Sequence, residues 1–183
     1  MTTKSISIKF KAKDIINIRE EICKKKKDYW TNIRNTNLLS TKEVKEGYRK
    51  YDLKSLYNEI MQMSDKLVYI KGMLAALNMG QTKFDKDAFK KTNNYSIFMY
   101  TEYMEAIAQL KMIPTLDPAT KAKKGGAAKM GKNEVFTSAK IASLIKELNL
   151  KAIKFKNNLE TFNTNTEIDL GDSSEMFKNY IAA

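Results

Sequence analysis

Any catalytic chemistry in this chain would fall to a cleft of glutamates, lysines and tyrosines, because the sequence holds no histidine and a single cysteine. Without an imidazole there is no ordinary general base near neutral pH, no Ser-His-Asp triad, and no supply of the commonest zinc ligand. Cys23 has no second thiol to pair with inside the chain, and beside Ile22 on a predicted helix it is expected to be a small buried hydrophobe. The closest approach to a phosphate-binding motif is Gly126-Ala-Ala-Lys-Met-Gly131-Lys132-Asn133. It departs from G-x-x-x-x-G-K-[ST] at Asn133, where a hydroxyl would hold magnesium. No strand precedes it, and Glu134-Val135-Phe136 after it reads as extended rather than helical. A flexible basic loop is the better reading.

The loop lysines, Lys121, Lys123, Lys124, Lys129 and Lys132, have no acid among them. They are the candidate polyanion-binding residues, suited to nonspecific contact with phosphates or an acidic protein surface. Lys140, Lys146, Lys151, Lys154 and Lys156 continue the positive character. No aromatic residues interleave with the loop lysines, so a single-strand stacking platform is not indicated. The pairs Glu20/Glu21 and Glu102/Glu105 could serve acid-base catalysis only if held in a shared cleft; their spacing reads as solvated helix face. Asp169-Leu-Gly-Asp172-Ser-Ser-Glu175 fails the twelve-residue calcium-loop spacing. No catalytic residue, metal or cofactor is called for, and a non-enzymatic role is expected.

The elements that must carry these residues are helices. Leu53, Leu56, Ile60, Met63, Leu67, Ile70, Leu74 and Leu77 alternate steps of three and four, the signature of a long helix with a coiled-coil-like seam. Ile141, Leu144, Leu148, Ala152, Phe155, Leu159 and Phe162 repeat the pattern. The first seam predicts a helix from about Asp52 to Asn78, stopped at Gly80; the second predicts one capped by Thr137 or Ser138. Ile97, Tyr100, Met104, Ile107 and Leu110 predict a third, ended by Pro114. Ile15, Ile18, Ile22, Tyr29, Trp30 and Ile33 predict a first helix capped by Asp14, its stripe interrupted by the solvated run Lys24 to Lys27. Ser40 and Glu43 have capping-box spacing for a short helix reaching about Gly47. The segment 83–94 is polar, with room for one helical turn. Ile6, Ile8 and Phe10 alternate with polar residues as a strand does, and pairing with 134–136 would make a small ribbon.

The fold class read from this is all-α: long antiparallel helical hairpins with coiled-coil-like packing, and room for one short two-stranded β-ribbon. Residues 1–166 form a helical bundle domain carrying the basic loop 118–133, and 167–183 an acidic tail with a short helix built on Met176, Phe177, Tyr180 and Ile181. With 183 residues, 43% of them hydrophobic, a real core is affordable, and only 2 prolines and 7 glycines leave few helix breaks. The formal charge of +12 comes mostly from lysine, since Arg19, Arg34 and Arg49 are the only arginines; such a surplus attracts polyanions without reading them. No stretch approaches the roughly 20 apolar residues of a membrane span. No signal-peptide pattern opens the chain, so a cytoplasmic location, or a particle assembled there, is expected.

The order of elements resembles the small bacterial septicolysin-like family over about residues 10 to 168. The matching layout is a mixed-charge first helix, a heptad helix ending at Leu77-Asn78-Met79-Gly80, a further helix and a basic loop. Glu134-Val-Phe-Thr-Ser and a last helix from Ile141 to Phe162, closed by Asn163-Thr164, complete it. The resemblance implies a helical hairpin protein able to associate with itself, and no site residues. The expected role is a structural or interaction subunit that packs into a homo-oligomer or larger assembly, such as a virus or phage particle. Leftover Tyr95, Met99, Tyr100 and Tyr103 would offer contact surface. The alternative is a nucleic-acid-binding accessory protein acting through Lys121 to Lys132.

Overall fold

The computed structural model describes residues 10–116, 133–167 and 169. All regular structure among them is helical: α1 (Ala12–Thr36), α2 (Thr41–Lys45), α3 (Leu53–Asn78), α4 (Lys86–Phe89), α5 (Asn93–Lys111) and α6 (Ser138–Asn165). No helix among the described residues is long and apolar enough to cross a membrane.

The caps explain where the helices begin. Asp52 accepts from Lys54 N and Ser55 N at the start of α3. Ser40 and Glu43 satisfy each other's backbone N–H ahead of α2, the reciprocal box that their spacing encodes. Thr137 accepts from Lys140 N to open α6. Asp14 lies one turn further in than expected: Lys11 is the cap residue of α1, and Asp14 reaches back to accept from Lys11 N. Gly80, at φ 76°, ends α3 in a conformation that costs a residue with a Cβ far more. The segment 83–94 does hold its helical turn, α4.

α3 packs against α1 and α5, and α5 against α6. Lys26 meets Glu102 and, two turns on, Arg34 meets Gln109, so α1 and α5 run alongside each other in the same direction. One core joins Trp30 and Ile33 of α1, Leu53 to Met63 of α3, Ala106 to Leu110 of α5, and Ile141 to Leu148 of α6. Each such Leu or Ile contributes about 1.5–3 kcal/mol on burial. A second core is aromatic. Val68, Phe89 and Met99 are buried there among Tyr69, Phe84, Tyr95, Phe98 and Phe155. Gly72 is what lets α4 approach, since a Cβ there would lie 2.6 Å from Phe89 Cε2.

Several expectations fail. Glu134-Val135-Phe136 forms no strand. Phe136 is buried, but its N–H donates to Asn37 Oδ1 and its C=O accepts from Asn37 Nδ2. One amide side chain thus supplies the pairing a strand neighbour would have given. Ile6 and Ile8 lie outside the described residues. The α5 stripe holds at Ile107 and Leu110 but departs from its predicted face earlier in the helix: Met99, Glu102 and Ala106 are buried, whereas Ile97 and Met104 are exposed. Met99, Tyr95 and Tyr103, expected as contact surface, pack into the two cores instead. Cys23 is exposed.

Candidate functional site

The most unusual chemistry in the bundle is a set of four charges at its centre. Lys26 stands in the α1 stripe, four residues from Ile22 and four from Trp30. It is 3% exposed. Glu102 stands in the α5 stripe between Met99 and Ala106 and is 2% exposed. Lys26 Nζ donates to Glu102 Oε2 at 2.5 Å and to Glu105 Oε2 at 2.9 Å. Lys71 Nζ of α3 donates to Glu102 Oε1 at 2.7 Å and lies 5.9 Å from the Phe98 ring centroid. Both Glu102 oxygens are therefore engaged, and the two lysines balance the two glutamates. Burial works to raise the Glu102 carboxyl pKa, but Lys26 and Lys71 outweigh it and hold it below the usual carboxylate range. A carboxylate so held is a poor proton acceptor. The set binds α1, α3 and α5 together at one level, and a slip of either seam would strand a buried charge.

The expectation that Lys24 to Lys27 and Glu102 are solvated is thus overturned for Lys26 and Glu102. The signal was present in the spacing: Ile22, Lys26, Trp30 and Ile33 keep steps of three and four. Reading Glu102 as surface is also what turned the predicted α5 stripe onto Ile97 and Met104.

A second polar cluster secures the end of the bundle near Asn37. That residue is fully buried and donates to Pro114 O at 2.8 Å and Phe136 O at 3.0 Å. Arg49 donates to Thr36 O, Asn37 O and Asn133 O, and burial lowers its pKa. Asn133 donates to Leu39 O and Thr41 Oγ1. Leu116 N donates to Glu134 Oε1 at 3.0 Å. These bonds bring together the chain before residue 117 and the chain after residue 132. The candidate polyanion residues Lys121, Lys123, Lys124, Lys129 and Lys132 lie outside the described residues. So does Gly126 to Lys132 of the near phosphate motif, and Asn133 is committed to Leu39 O and Thr41 Oγ1.

Two open clefts flank these features. One, about 300 Å³, is lined by Cys23, Lys27, Arg34, Glu105 and Gln109. The other, about 320 Å³, lies over Gly72, Met79, Phe84 and Phe89. Among the described residues no three His, Cys, Asp or Glu side chains converge as metal ligands.

No family model matches this chain, and no curated protein or solved structure matches it either.

Proposed function

We propose that the protein is a non-enzymatic interaction subunit whose long helices pack into an oligomer or larger assembly, a virus or phage particle being one fitting setting. The observation that carries this reading is that two helices outrun the core they serve. α1 has no buried residue before Lys26, and α6 none after Ala152. Yet their apolar stripes continue, through Ile15 and Ile18 in one case and Leu159 and Phe162 in the other. Ile18 is 37% exposed and Phe162 45%. Apolar stripes on helix ends gain by burial against another chain. The resemblance of the element order to the septicolysin-like family, which implies self-association, agrees with this reading.

Solution mass across a concentration series tests the proposal. Growth of mass with concentration, abolished by Ile18→Glu with Phe162→Glu, is the expected result. A constant monomer mass, with no partner recovered from the native source, contradicts it.

A second reading is a nucleic-acid-binding accessory role for Lys121 to Lys132. It is favoured by the clasp of Asn37, Arg49 and Glu134, which provides a fixed base for the segment between residues 117 and 132. Binding at micromolar affinity that falls steeply with added salt, and disappears when 117–132 is replaced by a short Gly/Ser linker, would support it. Absence of binding at physiological salt would remove it.

A further inference from the structure

We propose that the cleft between α1 and α5 is a binding site for the phosphate group of a small molecule. Its residues come from one stripe on each helix. Cys23, Lys27, Trp30 and Arg34 stand at steps of four, three and four along α1. Glu105 and Gln109 stand four apart on α5, and the two stripes frame a cleft of about 300 Å³. Two contacts between the helices hold its walls. Lys26 meets Glu105 at 2.9 Å, and Arg34 meets Gln109 further along. Trp30 lies between these two contacts on α1.

Three observations select an anion. The first is charge. Lys27 forms no ion pair with any described residue, and Arg34 donates to two neutral groups, Gln109 Oε1 and Thr31 Oγ1. Glu105, the acid in the wall, accepts from buried Lys26, within a set of four charges that is already balanced. The cleft therefore carries two cations without a counter-charge.

The second is the supply of donors. A guanidinium has five N–H groups, and Gln109 and Thr31 occupy two of those on Arg34. The others remain for a ligand. Gln109 spends its carbonyl oxygen on Arg34, which leaves its Nε2 as a donor. The third is Trp30. It is 2% exposed, and its Nε1 is buried with no hydrogen-bond partner among the described residues. An indole N–H can only donate, and a buried donor left unpaired costs free energy. The cleft that Trp30 lines is the route by which an external acceptor reaches it.

A phosphate answers all three, with up to two negative charges and several acceptor oxygens, and it forms strong charge-assisted bonds with Arg and Lys. Lys27 and Arg34 are seven residues apart, about 10 Å along the helix, a gap that two long side chains close around one group. The cleft volume is at the small end of ligand sites, which suits a small molecule. The apolar stripe through Ile15 and Ile18 lies outside the cleft, so the site stands whether or not the chain assembles.

Inorganic phosphate is the probe, added to the full chain against sodium chloride of equal ionic strength. Cys23 is exposed and lines the cleft, so its reaction rate with a neutral pyridyl disulfide reports access to the site. Emission of Trp30, the single tryptophan, gives a second readout. Phosphate should slow the Cys23 reaction saturably and change the emission with the same midpoint. Lys27→Met, at an exposed position, should raise that midpoint about tenfold, the loss of one charge-assisted bond. Gln109→Glu, which puts a carboxylate where the amide donor stood, should abolish saturation. Lys24→Met removes the same charge from α1 outside the cleft and should leave the midpoint within about twofold, because solvent and salt screen it. Equal effects of phosphate and chloride, equal shifts in Lys24→Met and Lys27→Met, or saturation unchanged in Gln109→Glu overturn the proposal.

Discussion

Removing one charge from the buried set should cost far more than removing two. In Glu102→Gln, Lys26 stays 3% exposed with Glu105 as its sole carboxylate, and Glu105 is itself 46% exposed. Lys71, at 30% exposure, can turn outward to water, but Lys26 cannot without opening α1. Stranding one member of a buried pair costs about 3–5 kcal/mol. Lys26→Met should cost less, about 1.5–3 kcal/mol, because Glu102 keeps its charge-assisted bond to Lys71. The double variant Lys26→Met with Glu102→Met leaves no charge buried, while Lys71 and Glu105 relax into solvent. It should fall within about 1 kcal/mol of the native chain or exceed it, as apolar replacements of buried ion pairs do. The single tryptophan is Trp30, buried one turn from Lys26, so urea unfolding can be followed by its emission. With a slope of about 2 kcal/mol per molar urea, Glu102→Gln should lower the midpoint by roughly 1.5–2.5 M. Losses that simply add in the double variant, or a Glu102→Gln loss below about 1 kcal/mol, would refute the account of the ion set.

Further outcomes follow from the same contacts. The Glu102 carboxyl has a folded pKa below its unfolded value; it contributes stability above the unfolded value of about 4.3 and loses it as pH falls through the folded one. The urea midpoint gap between the native chain and Glu102→Gln should therefore narrow below about pH 4.3, and a gap independent of pH would contradict this. Gly72→Ala should destabilise by about 1–3 kcal/mol despite the better helix former, because its Cβ meets the ring of Phe89; a stabilised protein in thermal unfolding would show that α4 is not held against α3. Asn37→Leu removes the partner of Phe136 N–H and of two carbonyls, each costing about 1–3 kcal/mol when left buried and unpaired. Its melting temperature should fall sharply, and a shift of only a degree or two would contradict the clasp.

The sequence made the helix ends easiest to read. Asp52, Ser40 with Glu43, Thr137 and Gly80 act through hydrogen bonds or φ angles fixed by residues a few positions away, so their spacing suffices. The inward faces were legible wherever every seam position is apolar, as from Leu53 to Ile70. They were lost where a charge occupies the seam. Lys26 and Glu102 each look solvated alone, and burial becomes favourable only because α3 brings Lys71 and the bundle brings the pair together across 76 residues. Phe136 was read as strand because alternation cannot tell a ladder partner from the amide of Asn37. The expectation that Phe162 is buried treated the seam of α6 as covered along its whole length, whereas its partner α5 begins only at Asn93 and lies beside Tyr95 and Phe155.

In the proposed assembly, another chain covers the apolar outer turns of α1 and α6. Hydrogen exchange of the amides in 12–22 and 156–165, measured at low and high protein concentration, tests it most directly. The account predicts fast exchange in dilute solution and marked protection in both segments when concentrated, with the amides of 56–70 protected throughout. Identical exchange at both concentrations would contradict it.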